Sequence, residues 1–107
     1  MVITDEIMKI KDTIVKTVPA EKIYLFGSYA YGTPNDDSDY DFYVVIPDNG
    51  MRPLDAIGDI YMAMRGMKRK AADILAGTRE IFERRSKQLT LERTITEKGV
   101  LLYDRGK

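Results

Sequence analysis

The chain contains no cysteine and no histidine. Without cysteine it can build no disulfide framework and offers no thiolate to a metal. Without histidine, zinc catalysis and Ser-His nucleophile chemistry are effectively excluded. An excess of one charge is missing too: 17 Lys and Arg stand against 17 Asp and Glu. That balance leaves no electrostatic footprint for tight, sequence-independent binding to DNA or RNA. No stretch approaches the roughly 20 apolar residues of a membrane span, and the N-terminus lacks the apolar core of a signal peptide. The expected compartment is the cytoplasm. Any catalysis must rest on Asp, Glu, Lys, Arg, Tyr, Ser or Thr, with a hard metal ion as the natural helper.

What is present is ordinary for a globular chain: 107 residues, 44% hydrophobic and 32% charged. The length predicts one domain, residues 1–107, with a core large enough for one small sheet and a few helices. Thr4 or Asp5 is placed to cap a helix running to about Val18, with Ile7, Ile10, Ile14 and Val18 at helical spacing and Pro19 beyond its end. Pro53 suits the start of a helix to about Met64, with Leu54, Ile57, Ile60, Tyr61 and Met64 inward and Gly66 as the stop. A basic loop, Lys68-Arg69-Lys70, follows. Gly77 and Thr78 are read as opening a helix through about Lys87, and Thr90 as capping another that closes at Gly99. Val100–Tyr103 reads as a final edge strand.

Residues 23–46 organise the rest. Ile23–Phe26 is a short apolar strand, and Gly27-Ser28 is a turn opening a brief helix that Gly32, Thr33 and Pro34 end. Glycine lets backbone and ligand approach closely, and the unpaired N–H groups of a helix start favour an anion. After the polar loop Asn35–Ser38, a second strand carries Asp39, Asp41, Tyr43 and Val45 on one face and Tyr40, Phe42, Val44 and Ile46 on the other. Asp39 and Asp41 then lie roughly 7 Å apart beside a phosphate-sized turn. Carboxylates next to a triphosphate imply a divalent cation between them. Ala71–Ala76 reads as a third strand with Asp73 alone in an apolar segment, and burying a lone Asp is costly unless it is paired or bound to a cation.

Other uses of the acids were weighed. Asp37, Asp39 and Asp41 spell the opening of a calcium loop, but Phe42 stands where that loop needs Gly and Asp48 where it needs a bidentate Glu. A sugar-nucleotide D-x-D site belongs to much larger nucleotide-binding domains. Simple capping and ion pairing of Asp39 and Asp41 is the bland alternative, and it weakens when Gly27-Ser28, Asp39, Asp41 and Asp73 are taken as one set.

Taken together, Gly27-Ser28-Tyr29-Ala30-x-Gly32, Ser38-Asp39-x-Asp41, Ala72-Asp73-Ile74-Leu75 and Gly99-Val100-Leu101-Leu102-Tyr103 resemble the minimal nucleotidyltransferases of the DNA polymerase β-like superfamily, of the MntA antitoxin type. The resemblance covers nearly the whole chain. It implies an α+β nucleotidyltransferase fold, a small mixed sheet packed by helices. It also implies two Mg²⁺ ions held by Asp39, Asp41 and Asp73, which are then the metal-binding and catalytic residues, and ATP held by Gly27 and Ser28. The activity so implied is transfer of AMP to a hydroxyl, with a tyrosine of a HEPN-domain toxin as acceptor, since no acceptor-binding domain is evident. Masking of a partner without catalysis, or transfer to a small molecule in a site shared by a homodimer, are the alternatives. One departure is Tyr31, where such proteins often carry Arg, which removes a cation from the turn.

Overall fold

Thr4 opens the first element: the Ile7 N–H donates to its hydroxyl at 3.1 Å, starting helix α1 (Asp5–Thr17). Ile7, Ile10 and Ile14 are fully buried along one stripe, each worth roughly 1.5–3 kcal/mol of hydrophobic stabilisation. The computed structural model describes residues 3–106. In chain order α1 is followed by β1 (Lys22–Phe26), α2 (Ser28–Tyr31), β2 (Tyr40–Ile46), α3 (Pro53–Ala63), β3 (Ala72–Thr78), α4 (Arg79–Arg85), α5 (Leu91–Lys98) and β4 (Val100–Asp104).

The strands form one four-stranded sheet in the order β3-β2-β1-β4. β1 runs antiparallel to β2 and to β4, while β2 and β3 are parallel. The class is α+β with a small mixed sheet, as the sequence predicts. α1 and α3 pack on one face, where Ile7, Ile10, Ile14, Ala56, Ile60 and Met64 meet Phe42, Val44, Ile46 and Ile74. α4 and α5 cover part of the other face, where Phe82 and Ile95 pack on Tyr24, Phe26, Tyr43 and Val45. Leu25, Phe42, Val44 and Ile46 lie within the main core.

Three local expectations shift. The inward stripe of α3 is Ala56, Ile60 and Met64, with Ile57 partly buried. Leu54, expected inward, is 80% exposed, and Tyr61 is partly exposed. Gly77 and Thr78 do not start a helix: they finish β3, and Thr78 caps α4 by accepting the Ile81 N–H at 3.3 Å. Gly77 belongs in the strand because a Cβ there would strike the Tyr43 hydroxyl. That hydroxyl donates to Glu92 Oε2 at 3.1 Å. Arg85 Nε lies 3.0 Å from Glu92 Oε1, a charge contact without hydrogen-bond alignment. Burial pushes Glu92 upward, but its own backbone N–H, Arg85 and Tyr43 outweigh that and hold the carboxyl below its usual range. This group fastens the α4–α5 pair to the sheet. None of the described helices is long and apolar enough to cross a membrane.

Candidate active site

β1 leaves the sheet at Gly27, whose φ of 77° is left-handed. A side chain there would be strained and would collide with the Asp41 carboxylate. The glycine thus lets the turn close over Asp41, which pairs with Phe26 across the β1–β2 ladder. α2 is a single turn: the Gly27 carbonyl accepts the Ala30 and Tyr31 N–H groups at 3.0 and 2.9 Å. The N–H groups that begin such a turn have no acceptor within it, and Ser28 is exposed there.

The loop before β2 holds its own shape. Asp37 N–H donates to Asn35 Oδ1 at 2.8 Å and Asn35 N–H to Ser38 Oγ at 2.9 Å. Asp36, Asp37 and Asp39 are exposed, and the strand begins at Tyr40. The parallel ladder sets Asp41 opposite Asp73, with neighbouring strands about 4.8 Å apart. Both side chains leave the same face of the sheet, and Asp39, just before β2 begins, lies near enough for its charge to act on Asp41. The structure therefore brings Asp39, Asp41 and Asp73 to one end of the sheet, beside the Gly27 turn that Ser28 follows.

Asp73 reaches that place for a different reason from the one the sequence offered. It is not buried: β3 is an edge strand in which Ala72 and Ile74 face the core while Asp73 and Leu75 are exposed. The strained member is Asp41, half-buried, whose pKa rises from 3.8 to about 6 through burial first and then the charges of Asp73 and Asp39. Among the described residues no group of three or more acidic side chains lies close enough together to hold a metal ion. The donor set nevertheless suits a hard divalent cation: carboxylate oxygens from two neighbouring strands, on one face, with a mutual repulsion that a cation would relieve.

One residue escaped sequence reasoning. Glu6, on α1, accepts the Tyr40 hydroxyl at 2.7 Å and the Lys70 N–H at 3.0 Å through the same oxygen. It clamps the approaches to β2 and β3 side by side, and those bonds, Lys70's first, hold its pKa below the ordinary value. The partners lie 34 and 64 residues away in sequence, so no local pattern announces them. Tyr31, in the position often held by Arg, stands near Gly27 and Asp41: burial raises its pKa, the Gly27 backbone opposes this, and Asp41 adds to the rise. It brings a neutral phenol where a cation would have stood.

The family model described as "Polymerase beta, Nucleotidyltransferase" matches residues 8–107. No curated protein matches the chain in sequence. Among solved structures, a candidate nucleotidyltransferase from Sulfolobus solfataricus superposes with a TM-score of 0.63 at 24% identity, covering 92% of this chain and 78% of that one. A toxin-antitoxin complex with AMP-PNP gives 0.65 at 19% identity, covering 94% and 74%. A mutant of the toxin-antitoxin MntA-HpeT gives 0.58 at 18% identity, covering 91% and 72%. At these identities the three structures speak to the fold.

Proposed function

The chain belongs to the polymerase beta nucleotidyltransferase family, and from that premise we propose that it transfers AMP from ATP to a hydroxyl of an acceptor. The observation that carries the reading is the register of β2 and β3, which sets Asp41 opposite Asp73 beneath the Gly27 turn. In this reading residues 1–107 act as one nucleotidyltransferase domain.

Asp39 and Asp41 would hold two Mg²⁺ ions, with Asp73 joining them on the acceptor side. Bound magnesium lowers the pKa of an attacking hydroxyl and offsets charge on the leaving pyrophosphate. The chain's own groups account for the rest. Ser28 and the N–H groups following Gly27 bind the β- and γ-phosphates as a helix start does. Asp73, exposed at the sheet edge, takes the proton of the acceptor hydroxyl as its oxygen bonds the α-phosphorus and the bond to the bridging oxygen breaks. Asp41 is mostly ionised above about 6 and so is ready to ligate at neutral pH.

The acceptor we propose is a tyrosine of a HEPN-domain toxin, making the chain the antitoxin of a cytoplasmic pair. The fold's likeness to toxin-antitoxin structures, one of them holding AMP-PNP, supports this assignment. Mass spectrometry of such a partner after incubation with the chain, ATP and Mg²⁺ should show a gain of one AMP. Asp41→Asn should cut the transfer rate by about 10³-fold, the scale of losing a group that meets charge developing in the transition state. A partner whose mass never changes while the two proteins bind would remove the enzymatic reading. An Asp41→Asn chain that still neutralises its partner would point to masking instead.

A further inference from the structure

β3 carries Asp73 at the open edge of the sheet, where a strand normally has nothing on its outer side to hold it. Its outer backbone groups are not left free at Asp73. The hydroxyl of Tyr61, projecting from α3, accepts the Ile74 N–H at 2.9 Å and donates to the Ala72 carbonyl at 3.3 Å. Those two groups flank residue 73, and they are the pair a neighbouring strand would occupy. One phenol therefore stands in for a missing strand at the one residue of β3 that bears a carboxylate beside Asp41.

We infer that Tyr61 is a positioning residue for Asp73, holding its peptide in register with Asp41 so that the two carboxylates present a common face to a cation. This rests on the nucleotidyltransferase reading above. The inner side of β3 is fixed by the ladder to β2. The outer side is fixed at this point by the phenol, and through it by α3, whose own seat is Ala56, Ile60 and Met64 in the main core. Aromatic bulk alone cannot do this, because the bonding atom is the hydroxyl oxygen. Tyr61 is partly exposed, so its ring contributes less to the core than Ile60 or Met64, and losing the hydroxyl leaves the fold in place. The expected effect is local: the edge strand frays around residue 73 and the carboxylate spends less time where it is needed. Small misplacements of a positioned group are known to be expensive in rate.

The test is Tyr61→Phe in the full chain, followed by three readouts. The Ile74 amide should exchange with solvent about tenfold faster, the scale of one lost hydrogen bond. In a titration with Mn²⁺ as the probe, paramagnetic broadening of the Asp73 amide should require about tenfold more metal. In transfer assays the half-saturating Mg²⁺ concentration should rise by a similar factor. Combining Tyr61→Phe with Asp73→Asn should add nothing further to the metal requirement of Asp73→Asn alone, because the phenol acts through that carboxylate. Unchanged Ile74 exchange, or faster exchange with an unchanged Mn²⁺ titration, would overturn the inference. So would an equal weakening of metal binding in the Asp73→Asn background, which would make Tyr61 a general support of the fold. The exchange and Mn²⁺ measurements need no turnover. A wild-type chain without transferase activity would therefore strike at the proposed reaction, while a silent Tyr61→Phe strikes at the positioning role.

Discussion

Along β2 one side of the strand is sealed and the other is half open. Tyr40, Phe42, Val44 and Ile46 face α1 and α3 and are all but completely buried. On the opposite side Tyr43 and Val45 are covered by Phe82 and Ile95, but Asp41 has acids for neighbours and the Gly27 turn close above it. The sealed side is apolar throughout, whereas the open side gives up packing at the end where the Gly27 turn and Asp73 converge. Alternation along a strand makes this possible, since each second residue answers to a different environment. The stability of the fold and the chemistry proposed for it thus share a single strand without competing for the same positions.

The sharpest way to break that contrast is to remove a side chain from the sealed face. Phe42 is fully buried in the main core, and Phe42→Ala should cost about 3–5 kcal/mol in urea denaturation. Leu54 lies on the helix that covers this face but is 80% exposed, so Leu54→Ala should change stability by less than about 0.5 kcal/mol. A large loss at Leu54 would mean that the sealed layer reaches further around α3 than its buried stripe indicates.

The periodicity of α3 pointed to Leu54 because large apolar residues dominate such a reading, while the helix in fact seats itself on the small Ala56. The same kind of substitution of reasons occurs at Asp73. Its strand was legible, and so was its membership of the acidic set. The burial argued for it was not correct, because Ala72, Ile74 and Leu75 look alike in sequence although the sheet edge exposes Leu75 and buries the other two. The turn at Gly27-Ser28 and the alternation of β2 were legible because their signals are local. The Glu6 clamp, the Tyr61 brace and the fit of Gly77 to Tyr43 were not, since each joins residues that meet only after the chain has folded.

The open end should also betray itself as a pH-dependent weakness. Asp41 takes up a proton at about 6 in the folded chain against its ordinary 3.8. The folded state therefore binds more protons between those values, and Asp41's contribution to stability, fully present below about 4, is lost as pH rises through 6. Discounted for the solvent that reaches a half-buried carboxylate, the loss is roughly 1–2 kcal/mol. Asp41→Asn carries no such charge, so at pH 7.5 it should unfold at higher urea than the wild type, and the gap should close on acidification to about pH 4. A variant that gains nothing at neutral pH would show that the acidic end is less crowded than its geometry implies. The sign is the informative part: a substitution that disables the proposed chemistry is expected to stabilise the fold.

The covered half of the same face offers a smaller and more exacting test. Gly77 sits where any added Cβ meets the Tyr43 hydroxyl, and that hydroxyl cannot swing aside freely because it donates a hydrogen bond to Glu92 Oε2 at 3.1 Å. Gly77→Ala should therefore cost about 1–3 kcal/mol, as overpacking of a filled site does. Tyr43→Phe should cost about 1–2 kcal/mol by taking away the hydrogen bond that Glu92 Oε2 accepts. Together the two should cost less than their sum by about 1 kcal/mol, since removing the phenol oxygen removes the first atom the new methyl would strike. Simple additivity in the double variant would place the cost of the alanine in the backbone of β3 rather than against Tyr43. The α4–α5 pair would then be held by its apolar contacts on Tyr24, Phe26 and Val45, with the Tyr43–Glu92–Arg85 group contributing little.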